Sequence, residues 1–375
     1  MKIAVTTASG VEAVTKRELF KLGIDNPPAI NGRMVFEGDE KTLAECNIHL
    51  STASRVYIWL AEFKCADFDA LYDNLYQINW EDYLFENGQI IIEPKLVASK
   101  LTAFSATQSV AKKAVCARLM KSYKKAFLPE NGPRYTIELA ITHDYCTVLL
   151  NSSGESLHKR GYRYLYGEAQ LKETLASAMI ELSVWNPSRP LVDLFTGTGT
   201  IAIEAALKEK NIPVGLRRKF DFFNFKNFDQ KAYESAKSEA ISRLSTEKCQ
   251  IIHAYDVDEK QLSLAKAHAK RAGVLDIIEF HHAEMQSFKS KALRGVAFAN
   301  PPYGERLEDR PMIEKLYKDY GAVRRANPEW CYYTITPVTD FEKLFGARAD
   351  KKRKLYNGRI ECCFYSHLAP SPKKN

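Results

Sequence analysis

The sequence lacks the features that mark membrane-spanning and secreted proteins. No stretch of the 375 residues approaches the roughly 18 consecutive apolar residues that a transmembrane helix needs. The N-terminus has no apolar core of signal-peptide length, and Glu12 and Glu18 occur early. We therefore expect a soluble, cytoplasmic protein that has no membrane partner.

Metal-binding patterns are missing as well. The eight cysteines are scattered without a C-x-x-C pair, and the eight histidines show no ligand spacing. Cys362 and Cys363 are adjacent in an apolar, strand-like run, and His281 and His282 lie in another predicted strand, so we interpret both pairs as structural. Thiols without a disulfide framework fit a reducing compartment. We expect no metal ion.

The charge is ordinary in amount but uneven in distribution. A 45% hydrophobic and 27% charged composition excludes wholesale disorder, and the length predicts two or three domains. The formal net charge is +8, yet residues 1–160 contain 19 basic and 19 acidic side chains, so the surplus lies entirely in 161–375. Within the neutral part, residues 95–129 contain eight cations and no carboxylate. This stretch indicates either a polyanionic partner or a solubilising surface.

Periodicity divides the chain into regions of different character. The first 60 residues combine short strands with an amphipathic helix at Glu12–Leu22, and residues 65–150 form a second α+β pattern with a long helix at Thr107–Phe127. Residues 155–190 form a bridge that contains a helix. After Pro190, strand-like and helix-like segments alternate to the end, which predicts a doubly wound parallel sheet.

The long helix carries its cations and its apolar residues on different sides. An ordinary solvated face includes acids for pairing at i,i+4, and this helix has none, so we predict that its cations bind RNA. A solvated face remains the alternative. The predicted RNA-binding residues are Lys112, Lys113, Arg118, Lys121, Lys124 and Lys125.

A glycine-rich turn follows the apolar strand that ends at Asp193. Gly197 and Gly199 allow close approach of a ligand to the backbone, and the next helix offers free N–H groups. The spacing also fits a dinucleotide fingerprint, but a nicotinamide site needs an acid about 20 residues later, and the next acid at a strand end is Asp256. Asp193 would repel a pyrophosphate and accept from an ammonium group, which favours S-adenosylmethionine.

Two further carboxylates follow later strands of the predicted sheet. Asp256 could hold the ribose hydroxyls, or cap the helix that begins near Glu259, for which Asp258 is better placed. Glu284 could accept from the adenine amino group.

A second motif, Asn300-Pro301-Pro302-Tyr303, follows the apolar strand Val296–Ala299. The prolines hold the backbone extended, so that the Asn300 amide and the carbonyls of Asn300 and Pro301 can converge on an exocyclic amine. Tyr303 offers a face for an extruded base. Such acceptors can take up developing charge without a strong general base.

These two motifs, with the runs at 157–163, 171–176 and 354–359, resemble the class I amino-methyltransferases of RNA, and within them the THUMP-domain group that acts on guanine N2. The similarity covers essentially the whole chain. It is strongest to bacterial 23S rRNA enzymes in which the corresponding part is the N-terminal half of a fused protein. Because this chain ends just after the first catalytic domain, we expect no fused second methyltransferase.

The resemblance implies an α/β protein with a Rossmann-like class I methyltransferase domain preceded by ferredoxin-like α+β and THUMP domains. The implied divisions are a ferredoxin-like unit at 1–60, an RNA-binding THUMP domain at 45–155, a helical linker at 156–188 and the methyltransferase domain at 189–375. The implied cofactor is S-adenosylmethionine, and the implied partner is RNA, with rRNA as the first candidate.

The resemblance also assigns the site residues. Catalysis falls to Asn300, Pro301, Pro302 and Tyr303. The cofactor-binding residues are Asp193, Thr196, Gly197, Thr198, Gly199, Thr200, Asp256, Glu284 and Asn300. The chain has Glu284 where the family more often has Asp, and Leu194 and Thr196 where relatives often have Pro and Cys. These changes remove no acceptor or glycine, so we expect activity.

Alternatives to a 23S rRNA guanine-N2 methyltransferase stay open on the sequence. They are a tRNA guanine-N2 methyltransferase, an adenine-N6 DNA methyltransferase that uses the same amine chemistry, an RNA-binding protein with a silent methyltransferase fold, and, least favoured, a dehydrogenase. The sequence leaves the oligomeric state unassigned.

Overall fold

The computed structural model describes residues 1–30, 32–164, 170–187, 189–245, 249–290, 292–304 and 310–370, which form two compact units. Unit 1 consists of Met1–Thr7, Leu19–Leu157 and Arg218–Glu239. Unit 2 consists of Ala8–Glu18, His158–Arg217 and Ala240–Asn375. Each unit contains one seven-stranded sheet. No helix in the described ranges is both long enough and apolar enough to cross a lipid bilayer.

Ten α-helices lie within the described residues. They are α1 (Glu12–Lys21), α2 (Glu40–His49), α3 (Phe68–Gln77), α4 (Phe104–Tyr123), α5 (Glu173–Leu182), α6 (Thr200–Glu209), α7 (Gln230–Ser242), α8 (Glu259–Ala272), α9 (Arg310–Ala326) and α10 (Phe341–Phe345). Side-chain caps set several starts: Asp39 accepts from the backbone N–H of Thr42 at 2.7 Å to begin α2, and Asp67 accepts from that of Ala70 at 2.8 Å to begin α3.

The sheet of unit 1 is mostly antiparallel. Its strands are β1 (Lys2–Thr7), β2 (Ala29–Ile30), β3 (Arg33–Glu37), β4 (Ala53–Lys64), β5 (Gln89–Val97), β6 (Arg134–Thr142) and β7 (Tyr145–Asn151). Their order is β2-β3-β1-β4-β7-β6-β5, and only the β5–β6 pair is parallel. The long strand β4 pairs with both β1 and β7, so residues from both predicted N-terminal domains share one continuous sheet.

A buried carboxylate lies inside unit 1. Glu138 of β6 has no exposed surface; its side chain accepts from Arg33 at 3.0 Å and Tyr57 at 2.8 Å, and pairs with Lys95 at 2.6 Å. Burial by itself would raise the pKa of Glu138, but Lys95, Tyr57 and Arg33 together hold it below its ordinary value. The carboxylate is therefore buried with its partners in place, and their side chains link β3, β4, β5 and β6.

Helix α4 differs from the prediction at its C-terminal end. We expected it to continue to Phe127, but it ends at Tyr123, where Lys124 adopts a left-handed backbone conformation with φ of +54°. Phe127 lies beyond the helix and is 72% exposed, so the predicted extension of the helix to this residue is wrong. Val115 and Leu119, on the predicted apolar side, are buried together with Ala111.

The sheet of unit 2 is parallel over five strands. The strands are β8 (Leu191–Asp193), β9 (Ile252–Asp256), β10 (Ile278–His282), β11 (Val296–Ala299), β12 (Cys331–Thr336), β13 (Lys351–Asn357) and β14 (Ile360–His367). Their order is β10-β9-β8-β11-β12-β14-β13. The alternation predicted after Pro190 is confirmed for the parallel part, which forms a doubly wound α/β sheet.

The end of this sheet is antiparallel, which the predicted alternation did not include. β14 pairs antiparallel with both β12 and β13. Asn357 pairs with Ile360, so only Gly358 and Arg359 connect β13 to β14, and Gly358 has a φ of +64°. A two-residue connection can join only antiparallel strands, since parallel strands need a crossover of a dozen residues or so.

Candidate active site

The candidate site lies in unit 2 where the strand order reverses between β8 and β11. Phe298 pairs with Asp193 across these strands, which brings the ends of both predicted motifs to the same edge of the sheet. At such a switch point, the two strand-to-helix connections run to opposite faces of the sheet, which opens a crevice between them. A cavity of about 730 Å³ opens there, a size suited to a cofactor-sized ligand.

The glycine-rich turn forms one wall of this cavity. Gly197 and Gly199 have φ values of +51° and +88°, which L side chains rarely adopt. A Cβ on Gly199 would lie 3.0 Å from the Cβ of Ala265 in α8, so the turn is packed closely against that helix. The Gly197 N–H donates to a carboxylate oxygen of Asp256 at 2.7 Å, which holds the turn to the end of β9.

Asp193 is a fully buried carboxyl group that lines the cavity. It accepts from the Thr196 hydroxyl at 2.9 Å and from the Phe195 N–H at 3.4 Å. Burial nevertheless raises the pKa of Asp193 to about 7. With a pKa near neutral pH, the carboxyl group is only partly ionised. A cation beside it would stabilise the ionised form.

Asp256 and Glu284 also line the cavity, at the ends of neighbouring strands. Asp256 accepts from the Gly197 N–H and, through its other oxygen, from the Asp258 N–H at 2.9 Å. Asp258 is the residue that caps α8, accepting from the Lys260 N–H at 2.8 Å, so the capping alternative for Asp256 is wrong. Glu284 follows β10 and is exposed to the cavity.

The second motif meets the cavity through Asn300 and Pro302, whereas Pro301 is buried. The Tyr303 hydroxyl donates to the Asn300 side-chain oxygen at 2.8 Å. The Tyr303 ring is partly buried against the core of unit 2, and burial raises the pKa of its phenol well above the ordinary value. Tyr303 therefore orients the Asn300 side chain. Residues 305–309, which follow the motif, lie outside the described residues.

The described lining of the cavity is strongly acidic. It carries one cationic side chain, that of Lys315. Its carboxylates are Asp193, Asp256, Asp258, Glu284 and Asp319. Such a lining disfavours a pyrophosphate and favours a ligand with a positive charge, which argues against a dehydrogenase.

Sequence reasoning missed the wall that α9 contributes. Met312, Lys315, Leu316 and Asp319 line the cavity, and their spacing of three, four and seven residues places them on one helical face. That spacing is visible in the sequence, but it does not distinguish a ligand-facing helix from one that packs on a core.

Two arginines of the run at 157–163 contact α6, the helix that follows the glycine-rich turn. Arg163 is buried and donates to the hydroxyl of Thr200, the first residue of α6, while its Nε lies 3.5 Å from Glu173. Arg160 pairs with Glu204 of α6 at 3.1 Å, with both side chains buried. These residues support the start of the helix that follows the glycine-rich turn, a role that no local pattern in the sequence indicates.

The predicted RNA-binding helix α4 lies in unit 1, and its cations are less free than the sequence suggests. Lys112 pairs with Glu130 at 2.7 Å, Arg118 with Glu81 at 2.6 Å and Lys125 with Glu86 at 3.5 Å. The inference that these cations lack compensating acids is therefore wrong, because neighbouring segments supply the carboxylates. The exposed cations of the set are Lys113, Lys121, Lys124 and Lys125, and among these only Lys125 has a carboxylate within ion-pair distance in the described part of the chain.

Family models match three consecutive parts of the chain. An RlmL ferredoxin-like domain matches residues 2–57, a THUMP domain matches 65–151, and the RMKL-like methyltransferase domain matches 160–366.

Individual proteins match over nearly the whole chain. The chain is 37% identical to the "Putative RNA methyltransferase YpsC" of Bacillus subtilis, over 99% of the chain and 98% of that protein. It is 31% identical to the "Ribosomal RNA large subunit methyltransferase K/L" of Vibrio cholerae over 95% of the chain, and it spans about half of that relative, 51% of its length.

A solved structure agrees with the fold over its full length. The putative methyltransferase SMU.472, in complex with SAH (S-adenosylhomocysteine), superimposes with a TM-score of 0.92 at 35% identity and covers 99% of both chains.

Proposed function

The chain belongs to the RMKL-like methyltransferase family, and on that premise we propose that it methylates the exocyclic N2 amine of a guanine in 23S rRNA. It is an S-adenosylmethionine-dependent RNA methyltransferase of the RlmK/L type, and the predicted family and fold class are confirmed. The proposal adds three points to this family assignment: methylation at guanine N2, 23S rRNA as the target, and a cytoplasmic location. The matches support the predicted order of a ferredoxin-like unit, a THUMP domain and a methyltransferase domain, whereas the division at 1–60, 45–155, 156–188 and 189–375 stays a prediction.

The observation that carries this proposal is the meeting of Asp193 and Asn300 in one cavity. Asp193 ends β8 and Asn300 follows β11, so an acceptor for a cationic amino-acid group and an acceptor for an amine share one crevice. A methyl donor and a nucleophilic amine must meet in this way, since transfer requires both in line at contact distance.

The described residues fit S-adenosylmethionine, which supplies a sulfonium methyl group when it is bound. In this assignment Asp193 accepts from the ammonium group, Asp256 from the ribose hydroxyls and Glu284 from the adenine amino group. Asp256 already accepts two backbone N–H groups, but each carboxylate oxygen has a second lone pair for a hydroxyl. The acidic lining explains a preference for a cofactor without phosphates.

Asn300 holds the amine of the substrate in the proposed reaction. Its side-chain oxygen takes one hydrogen bond from Tyr303 and keeps a lone pair for an N–H of the guanine amine. With the amine held, its nitrogen lone pair forms the new bond to the methyl carbon as the carbon–sulfur bond breaks. The sulfur keeps the electron pair of the broken bond, and the proton that the nitrogen loses passes to solvent water, since an amide oxygen is too weak a base to keep it. The Tyr303 hydroxyl positions the Asn300 side chain in this proposal. Stacking of the base on the Tyr303 ring stays a separate prediction.

Product analysis tests the proposal. Ribosomal RNA, tRNA and DNA from a strain that lacks the gene are each incubated with the purified full chain and methyl-labelled S-adenosylmethionine, digested to nucleosides and analysed by mass spectrometry. We expect N2-methylguanosine that maps to 23S rRNA, and on the order of a hundredfold less of it with the Asn300→Ala variant. N6-methyladenosine, or transfer to DNA, would overturn the guanine assignment, and label in tRNA alone would overturn the rRNA target.

A further inference from the structure

Two histidines and a glutamate meet on one face of the β9–β10 pair, outside the cavity described above. The Nδ1 of His253 lies 3.1 Å from the Nε2 of His281, and the carboxylate of Glu279 lies 3.5 Å from the former and 3.8 Å from the latter. None of the three residues lines the cavity. Within the described ranges, this is the one group of three such side chains with ligand atoms all within 4.8 Å of one another.

The strand register places these side chains together. β9 and β10 run parallel, and His253 is paired directly with Glu279. His281 lies two residues after Glu279, and side chains two apart on a strand point to the same face. The cluster therefore belongs to the regular geometry of two paired strands and needs no special loop conformation.

The separations suit a tetrahedral metal ion. Zinc binds imidazole nitrogen and carboxylate oxygen at about 2.0–2.2 Å, so two ligands at a tetrahedral angle lie about 3.4 Å apart. The two imidazole nitrogens are 3.1 Å apart, and the two carboxylate oxygens of Glu279 lie 3.5 Å from His253 and 3.8 Å from His281, so these separations fall on either side of that value. Two histidines and one carboxylate are also a donor set that zinc accepts when it keeps one position open.

A neighbouring aromatic ring restrains one of the three side chains, and the cluster is accessible to solvent. The ring of Tyr255 stacks on His281, with centroids 4.3 Å apart and an interplanar angle of 17°, which restrains the imidazole. The side chains of His253, His281 and Glu279 are 37%, 26% and 59% exposed. Solvent can thus supply the fourth ligand.

We propose that His253, Glu279 and His281 form a binding site for a zinc-class divalent metal ion, with water in the fourth position. The ion would join β9 to β10. His253 lies three residues before Asp256, and His281 lies three residues before Glu284, so the ion would tie together the two strands that carry these cavity-lining carboxylates. The proposal does not depend on the identity of the RNA substrate.

Calorimetric titration with zinc chloride tests this site. The full chain, without an affinity tag and stripped with a chelator, is compared with the variants His253→Ala, His281→Ala and Glu279→Gln. His143→Asn is the matched control, because it removes an imidazole in unit 1 at a position with φ of +51° that Asn tolerates. We expect one zinc ion per chain, affinity weakened at least about tenfold in each histidine variant, and no change in the control.

Two further measurements keep the test decisive. Cobalt(II) substitution reports the ligands, and a spectrum without a thiolate charge-transfer band supports the site, whereas a thiolate band would assign the metal to cysteine and overturn it. Zinc should raise the melting temperature of the wild-type chain but not that of the Glu279→Gln variant, whose exposed substitution preserves folding. Equal zinc affinity in the wild type and the histidine variants, or no binding at all, would also overturn the proposal.

Discussion

At the scale of single residues, Asp193 combines complete burial with a position on the cavity wall. Burial raises its pKa to about 7, although Thr196 and Phe195 donate to it. A cationic ligand would favour the ionised form, so ligand binding and proton release at Asp193 should be linked.

The first prediction concerns cofactor affinity and pH. Only the ionised carboxylate pairs with the ammonium group, so S-adenosylmethionine affinity should increase as the pH rises through about 7. Asp193→Asn should weaken binding by about ten- to a hundredfold at pH 8, since a charge-assisted hydrogen bond contributes about 1.5–3 kcal/mol. Calorimetry between pH 6 and pH 8 checks both effects. A pH-dependent affinity that persists in Asp193→Asn would contradict the assignment.

The second prediction separates two roles of Tyr303. The Tyr303→Phe variant keeps the ring and removes the hydroxyl that donates to Asn300. If the hydroxyl positions Asn300, the turnover number should fall roughly three- to tenfold, as expected for one lost hydrogen bond, while KM for RNA changes little. Asn300→Ala should lose on the order of a hundredfold. Steady-state methyl transfer measures both, and full turnover in Tyr303→Phe would leave stacking as the only role.

At the scale of elements, the buried Glu138 of β6 contacts side chains of β3, β4 and β5. A group whose pKa is lower in the folded state stabilises the fold above its unfolded pKa and loses that contribution as pH falls through the folded value. Glu138 is such a group, because Lys95, Tyr57 and Arg33 outweigh the effect of burial. Its contribution is therefore complete at neutral pH and is lost only under acid conditions.

The third prediction follows from this buried carboxylate. Glu138→Ala should destabilise unit 1 by about 3–5 kcal/mol at pH 7, because it removes the carboxylate that is ion-paired with the largely buried Arg33. Hydrogen exchange of the β4–β7 peptides measures this loss. Glu138→Gln should show less acid sensitivity than the wild type between about pH 4 and the folded pKa. The same acid sensitivity in both proteins would contradict the linkage.

The fourth prediction concerns α4, whose six cations divide into two classes. Lys112, Arg118 and Lys125 pair with carboxylates, whereas Lys113, Lys121 and Lys124 are exposed and have no carboxylate within ion-pair distance among the described residues. If α4 binds RNA, replacing the three exposed lysines by Ala should weaken binding and reduce the slope of log affinity against log salt by about 0.7–0.9 per lost phosphate contact. The matched control replaces Lys112 and Lys125 and should change the slope less. Equal slopes for all three proteins would show that the charge serves solubility.

At the scale of the whole molecule, the net charge of +8 is a poor guide to function, because the candidate site itself is acidic. The described lining of the cavity has five carboxylates and one lysine, although the surplus of basic residues falls in the same half of the chain. Cations that contact RNA must therefore lie elsewhere on the surface. Charge counts over long stretches cannot separate these two populations.

The sequence by itself determined the family, the order of the domains and the two motifs of the site. Each depends on short-range chemistry: Gly197 and Gly199 permit a turn that other residues resist, and the prolines after Asn300 stiffen one local segment. Such signals act within a few residues, so they can be read without knowing the fold.

The tertiary structure alone decided which distant groups meet. It supplied Glu81, Glu86 and Glu130 to the cations of α4, and it brought His253 beside Glu279 and His281 through the register of two strands. It also placed one face of α9 on the cavity. These contacts join residues far apart in the chain, and their free energy depends on burial and alignment that exist only once the sheets have formed.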